Sequence, residues 1–305
     1  MAQELAIKII LILWPLLLYS PMSAQQAIWP ESRCGDVVIP FPFHIKSSYN
    51  CSIDHRCKYM DDWFEIECRD NRTPFLKSMK LEVTEIDFKN NTVIVMNPIY
   101  RCQNSTTFIQ STVPLDQSPF LYPDTNKIIV FGCNTRAQFS YKSPERATCV
   151  SSCESKDDML GYKGCFGMYC CQIDVPWHLS DFNISISREN VTDKAYNTNN
   201  PCDFVLIADQ DWFFSKSWQG NVGSLLEDIK DSSFVPAVLQ WGIPINSSTY
   251  SIIPTVKDCH DFSYQTVSGI LLIRRVCFCS MGESGNPYTG GGCIGMYNSY
   301  KHKTT

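Results

Sequence analysis

Residues 149–171 read CVSSCESKDDMLGYKGCFGMYCC and hold five of the chain's sixteen cysteines. The stretch has no usable hydrophobic period and contains Gly161, Gly164 and Gly167, so it cannot bury itself as a helix or strand by packing alone. Covalent bridges are needed to hold it. Zinc is the rival, because Cys149 and Cys153 stand at a spacing at which two thiolates can grip a metal. The redox compartment decides between the two.

Compartment is read from the N-terminus, where Lys8 precedes the apolar run IILILWPLLLY at 9–19 and small residues follow up to Ala24. The run is about half of the ~20 apolar residues a membrane span needs, and Pro15 interrupts it. The expectation is a signal peptide over residues 1–24, with an uncleaved N-terminal anchor as the alternative. The mature chain then enters an oxidising lumen, and an even number of cysteines reads as disulfides with no metal. The disulfide candidates are Cys34, Cys51, Cys57, Cys68, Cys102, Cys133, Cys149, Cys153, Cys165, Cys170, Cys171, Cys202, Cys259, Cys277, Cys279 and Cys293. Asn-x-Ser/Thr acceptors at Asn50, Asn71, Asn90, Asn104, Asn183, Asn190 and Asn246 point to the same compartment and to solvent-facing chain. Asn50 is the weakest of them, because its middle residue is Cys51.

With 305 residues, 44% of them hydrophobic, the chain is long enough for one large or two modest domains, and disorder is excluded. The net charge of −5 is unevenly placed: residues 31–148 are neutral and the excess acid lies from Cys149 onward. No polycationic footprint exists, so a nucleic-acid partner is not expected.

In chain order, CGDVVIPFPF at 34–43 reads as an extended edge brace, because Pro40 and Pro42 forbid a central strand; Val38, Phe41 and Phe43 are expected to pack inward. Strands are predicted at 63–68 (WFEIEC), 80–88 (KLEVTEIDF), 92–96 and 127–131 (KIIVF), with a hairpin turn at Lys89-Asn90-Asn91. Leu81, Val83, Ile86 and Phe88 do not keep one parity, so a bulge is required between Val83 and Ile86. After the cysteine-rich stretch, 182–186 and 202–208 are strand candidates, FVPAVLQW at 234–241 is core, and 243–257 reads as a Ser/Thr/Pro connection. Only 222–229 looks helical. The fold class is mainly β: disulfide-rich irregular β domains with few short helices.

These residues also carry a resemblance. IPFPF at 39–43, VFGC at 130–133, CCQ at 170–172, DFNISI at 181–186, DWF at 211–213, VPAVLQW at 235–241 and GESGNPYTGGGC at 282–293 occur in order. Together the chain resembles the extracellular region of plant wall-associated receptor kinases, a galacturonan-binding domain followed by an EGF-like repeat. The resemblance implies a secreted or cell-wall protein and the following division: signal peptide 1–24, galacturonan-binding-like cysteine-rich domain 25–148, cysteine-rich C-terminal part 149–250, partial EGF-like module 251–293 and divergent tail 294–305. Family receptors continue into a calcium-binding repeat, a membrane span and a kinase. Here Ile294-Gly295-Met296-Tyr297 stands where acidic calcium ligands are expected, and no later run approaches 18 apolar residues, so a form stopping short of span and kinase is expected. The EGF-like repeat has four cysteines where six are usual. Alignment on the family implies that Cys279 pairs with Cys293, leaving Cys259 and Cys277 to pair with each other. Gly285-Asn286-Pro287-Tyr288 reads as a β-turn rather than a ligand contact.

The resemblance makes pectic polysaccharide (polygalacturonate or oligogalacturonides) the expected partner, with a full-length receptor kinase as a second. A polyuronate needs spaced Arg and Lys donors with aromatic faces. Two windows qualify: Arg69, Arg72, Lys77 and Lys80 against Asp70, and Lys127, Arg136, Lys142 and Arg146 against Glu145. Each can equally be a solvated charged surface. A glycosidase pair needs only two carboxylates and is the enzymatic rival, but Gly282-Glu283-Ser284-Gly285 is no nucleophile elbow, and His44, His55, His178, His260 and His302 lack metal spacing. No catalysis and no cofactor are expected. The alternative reading is a peptide- or protein-binding ectodomain without sugar affinity.

Overall fold

The computed structural model describes residues 32–48, 61–101, 106–110, 113, 115–142, 145–153, 163–176, 179–180, 182–188, 204–219, 221–245, 258–266, 269–289 and 292–295. The fold is mainly β, and every named strand pair is antiparallel. A six-stranded sheet runs in spatial order Ile66–Arg69, Thr73–Leu76, Leu81–Asp87, Thr92–Pro98, Phe234–Trp241 and Phe120–Leu121. One four-stranded sheet holds Cys170–Asp174, Asn126–Phe131, Phe204–Asp209 and Tyr100–Arg101; the other holds Glu145–Ser151, Thr135–Lys142, Asn183–Arg188 and Thr106–Gln110. A three-stranded sheet of Ile243–Pro244, Leu271–Cys277 and Cys259–Gln265 and two short ribbons complete it. Strands from before and after Cys149 thus share sheets.

Several local expectations are realised. Leu81–Asp87 pairs with Thr92–Pro98 with a register shift between Val83 and Glu85, and Asn91 closes the hairpin at φ 56°. The shift lets both Val83 and Ile86 face Val95 and Val93 despite their opposite parity. Phe41 and Phe43 are buried and Cys34 is stapled to Cys68, whereas Val38 is only half-buried. The helix at Val222–Ile229 forms as read, with an Asn221–Ser224 capping box.

Two readings need correction. Residues 63–68 are not one strand: Asp62–Phe64 is a 3-10 turn capped by Asp61, and the strand begins at Ile66. A second helix, Gln210–Gln219, also forms. Its apolar residues Trp212, Phe213 and Phe214 are consecutive, so they show no helical period; the Asp209 carboxylate caps it by accepting from the Asp211 and Trp212 amides, both at 3.3 Å.

The cysteine-rich stretch is held as expected, by Cys149–Cys171, Cys165–Cys170 and Cys133–Cys153. Downstream, Cys259 pairs with Cys277 and Cys279 with Cys293, as the family alignment implies. Cys51, Cys57, Cys102 and Cys202 lie outside the described residues, as do Asn50, Asn104, Asn190 and Asn246.

The core is centred on Trp241, which is fully buried. Its ring meets Phe43 (5.4 Å, edge-on), Phe64 (5.8 Å, edge-on) and Tyr288 (5.1 Å) between centroids, and Phe120 packs on Phe64 at 5.3 Å. Tyr288 belongs to the Gly-Asn-Pro-Tyr turn, closed by the Thr289 amide donating to the Asn286 carbonyl at 3.2 Å. The Tyr288 hydroxyl donates to buried Asn91 Oδ1 and accepts from the Cys277 amide at 2.8 Å, while Asn91 Nδ2 donates to the Cys277 carbonyl at 3.2 Å. Asn286 Nδ2 donates to the Phe41 carbonyl at 2.7 Å. The turn is therefore a clamp that ties the C-terminal hairpins to the N-terminal sheet.

Three outcomes are expected. Peptide mapping of unreduced protein should recover Cys259–Cys277 and Cys279–Cys293 as separate bridges. Replacing Tyr288→Phe keeps the ring but strands the Cys277 amide and removes the donor to Asn91, which should cost about 1–3 kcal/mol, read as a lowered urea midpoint. The third concerns His44, whose imidazole is 2% exposed and whose Nδ1 donates to the Pro42 carbonyl at 3.2 Å. Burial lowers its pKa below 6.5, outweighing the opposing Pro42 bond and the nearby Glu65 and Asp62 charges. The unfolded chain takes up the proton first, so this contribution to stability is complete above about pH 6.5 and is lost as pH falls below it. His44→Gln should flatten the decline of the urea midpoint between neutral and mildly acidic pH.

Candidate site on the edge hairpin

The first basic window folds as a hairpin at the edge of the six-stranded sheet, with Ile66–Arg69 as the outermost strand. Asp70 (φ 51°) and Asn71 (φ 54°) form the turn, and the Arg72 amide donates to the Arg69 carbonyl at 3.0 Å. Two left-handed turn residues in succession are what a tight hairpin asks for, and Asn and Asp tolerate that backbone. Gly35 approaches this turn so closely that a Cβ there would lie 2.2 Å from the Arg72 carbonyl oxygen, which keeps the position glycine.

Strand alternation sorts the side chains. Ile66, Pro74 and Leu76 are buried, whereas Glu67, Arg69 and Lys77 are exposed and Phe75 is half-buried. Register sets Glu67 opposite Phe75 and Arg69 opposite Thr73. The Arg69 guanidinium lies 3.8 Å from the Phe75 ring centroid and donates to Glu67 at 3.0 Å; that bond holds the Glu67 carboxyl below its ordinary value. Lys77 Nζ donates to Glu65 at 2.7 Å, which raises the lysine's pKa. Lys80, at φ 58°, is exposed, and among the described residues neither it nor Arg72 has a carboxylate within ion-pair distance.

Beside the hairpin is a groove of about 640 Å³ lined by Lys46, Asp61, Asp62, Trp63, Glu65, Lys77 and Ser78. Lys46 reaches Asp62 at 3.4 Å. Trp63 is half-buried and presents an aromatic surface beside the two lysines. Reading by sequence missed Glu65, Glu67, Lys46, Trp63 and Phe75 as members of this surface. The signal existed: a hairpin turning at Asp70-Asn71 places positions 65 and 67 beside 77 and 75 by strand register.

The second window does not join the first. Lys127 is paired with Asp174 on the Asn126–Phe131 sheet. Arg136, exposed, lies on the Thr135–Lys142 strand of another sheet, opposite Val150 and Ser187. Register sets Arg146 opposite Ser140 and Lys142 opposite Glu145. Among the described residues, no group of three or more His, Cys, Asp or Glu is arranged to hold a metal, and no helix is long and apolar enough to cross a membrane.

Comparison with known proteins follows the same outline. Residues 30–97, which include the edge hairpin and its groove, match the family described as wall-associated receptor kinase galacturonan-binding. Wall-associated receptor kinase-like 4 of Arabidopsis thaliana is 27% identical over 312 residues, covering 93% of this chain and 39% of the relative. Wall-associated receptor kinase-like 6 of the same plant is 27% identical, covering 86% of this chain and 43% of the relative. Wall-associated receptor kinase-like 10 is 23% identical, covering 85% and 38%. The chain thus spans about two fifths of the length of these curated relatives. No solved structure matches it. The chain is homologous over most of its length to wall-associated receptor kinase-like proteins, and its residues 30–97 match the family described as wall-associated receptor kinase galacturonan-binding.

Proposed function

We propose that the chain is a non-catalytic, extracellular polysaccharide-binding protein whose edge hairpin holds pectic polyuronate. The observation that most supports this is the position of Arg69, Arg72, Lys77 and Lys80, all exposed along the edge hairpin and the turn that follows it, within the residues that match the galacturonan-binding family. An extended chain with one carboxylate per sugar matches cations spread along a strand pair, and Phe75 and Trp63 offer faces for sugar C–H surfaces. Arg72 and Lys80 can engage a uronate directly. Arg69 and Lys77 must first share or exchange Glu67 and Glu65, so they contribute less. Arg136, Lys142 and Arg146 form a second, separate set on another sheet. The wall is the location this reading assigns, and a full-length receptor kinase the partner that would relay occupancy.

Asn71 sits exposed at the hairpin tip, next to Arg72. A glycan on it would project from the same turn as the proposed ligand contacts, so Asn71→Gln should leave polygalacturonate binding unchanged or strengthen it.

Reversing Arg72 and Lys80 to Glu together should weaken polygalacturonate binding about tenfold, and adding Arg69 and Lys77 should deepen the loss less than proportionally. Binding should fall with ionic strength, because surface contacts are screened beyond about 8 Å at 0.15 M salt. Highly methyl-esterified pectin should bind less well than the de-esterified polymer. Titration calorimetry of folded protein against both polymers at two salt concentrations checks this; indifference to salt and to esterification would favour the protein-ligand alternative.

A further inference from the structure

We propose that a second cleft, beside the cysteine-rich stretch, binds a neutral hexopyranose unit of a wall polysaccharide. The cleft has a volume of about 530 Å³, and its lining includes Lys127, Thr148, Phe166, Gln172, Asp174 and Phe214. That size suits one or two sugar rings. It is built on the Cys170–Asp174 and Glu145–Ser151 strands, outside residues 30–97 and on different sheets from the edge hairpin.

Phe166 carries the argument. It is 70% exposed, yet its ring is laid against the backbone of Gly164: a Cβ at that glycine would lie 2.5 Å from Phe166 Cε2. Gly164 itself sits at φ +78°, a backbone that side-chain-bearing residues rarely adopt. On either side, the Cys165–Cys170 and Cys149–Cys171 bridges and the pairing of Phe166 with Cys171 fix the chain. An aromatic ring is thus held open to solvent on a cross-linked support. A platform of this kind spends little ordering entropy when a flat apolar ligand face settles on it.

The polar lining decides the ligand. Lys127 Nζ is bonded to Asp174, so among the described lining residues the one cation is already neutralised by the one carboxylate. A uronate would have to displace Asp174. A neutral sugar needs no such exchange: its hydroxyls can both donate and accept, and the cleft offers an acidic acceptor, an ammonium donor, the Thr148 hydroxyl and the Gln172 amide. Gln172 Oε1 is out of solvent and has no hydrogen-bond donor, a condition that a sugar hydroxyl would relieve once the amide turns to meet it. An aromatic face with an amide and a carboxylate around it matches the alternation of C–H face and hydroxyl edge on a pyranose.

This proposal is independent of the polyuronate reading, and the experiment separates them. The full-length protein is titrated, by saturation-transfer NMR and calorimetry, with neutral gluco- and galacto-oligosaccharides and with trigalacturonate as the charged comparator. A neutral oligosaccharide should bind with a dissociation constant in the millimolar range or tighter. Phe166→Ala and Phe166→Leu should each weaken it about tenfold, Phe166→Trp should retain it, and all three should leave trigalacturonate unchanged. Unchanged denaturation midpoints confirm that the variants are folded, as the exposure of the ring predicts. The proposal is overturned if no neutral oligosaccharide binds at about 10 mM. It is equally overturned if Phe166→Leu binds as well as Phe166→Trp, which is the behaviour of an apolar patch for a protein partner. Equal loss of trigalacturonate would make the cleft part of the polyuronate surface and sink it as well.

Discussion

Trp241 is the contact on which the remaining structure depends. Its indole gathers Phe43 from the N-terminal brace, Phe64 from the 3-10 turn before the edge hairpin and Tyr288 from the C-terminal turn, and Phe120 closes the group through Phe64. These rings come from distant parts of the sequence, and Phe43 also meets Phe64 at 5.2 Å and Phe120 at 6.3 Å. Edge-on aromatic pairs add about 0.5–1.5 kcal/mol each to the burial of their surfaces. In a protein of short strands, a shared aromatic centre supplies the burial that no single sheet can.

The polar ties around this centre add direction to it. Apolar burial alone would tolerate some sliding of the C-terminal hairpins, whereas the Asn91, Tyr288 and Cys277 bonds are satisfied in one arrangement only. Elsewhere Asn126 performs a similar task, exchanging two bonds with the Val238 backbone at 2.8 and 2.9 Å and so joining the six-stranded sheet to its neighbour. Arg274 is a costlier tie. It is 3% exposed, donates to the Pro119 carbonyl at 2.9 Å and lies over the Tyr264 ring, and burial lowers its pKa to about 10. Among the described residues, disulfides staple the brace, the cysteine-rich stretch and the C-terminal ribbon, and Cys259–Cys277 lies within this polar network itself.

The edge hairpin inherits its geometry from the same centre. Phe64 enters the core and His44 pairs with Glu65, so the start of the outer strand is fixed against the brace. Alternation then turns Glu67 and Arg69 outward while Ile66 is buried. The consequence is an outer surface in which acids and bases interleave, with a few cations left unengaged near the turns. Such a surface presents charges at fixed positions rather than a net charge, in keeping with the neutrality of residues 31–148.

Much of this was legible in residue order. The β class, the bulge after Val83, the Asn91 turn, the capped helix at 222–229 and the pairing of the last four cysteines follow from local pattern or family alignment, because periodicity and turn chemistry act over a few residues. The helix at 210–219 was hidden because its three adjacent aromatics are divided between buried and half-buried positions by tertiary packing. The first basic window looked as though it faced only Asp70, and the fold set Glu65 and Glu67 against Lys77 and Arg69 instead. Residue order thus determined which local structures could form and which cysteines could staple them. Only the tertiary structure decided which charges remain available, which tyrosine ties the C-terminal turn to the N-terminal sheet and which phenylalanines stay exposed, because pairing and burial depend on what is brought alongside a residue and not on the residue alone.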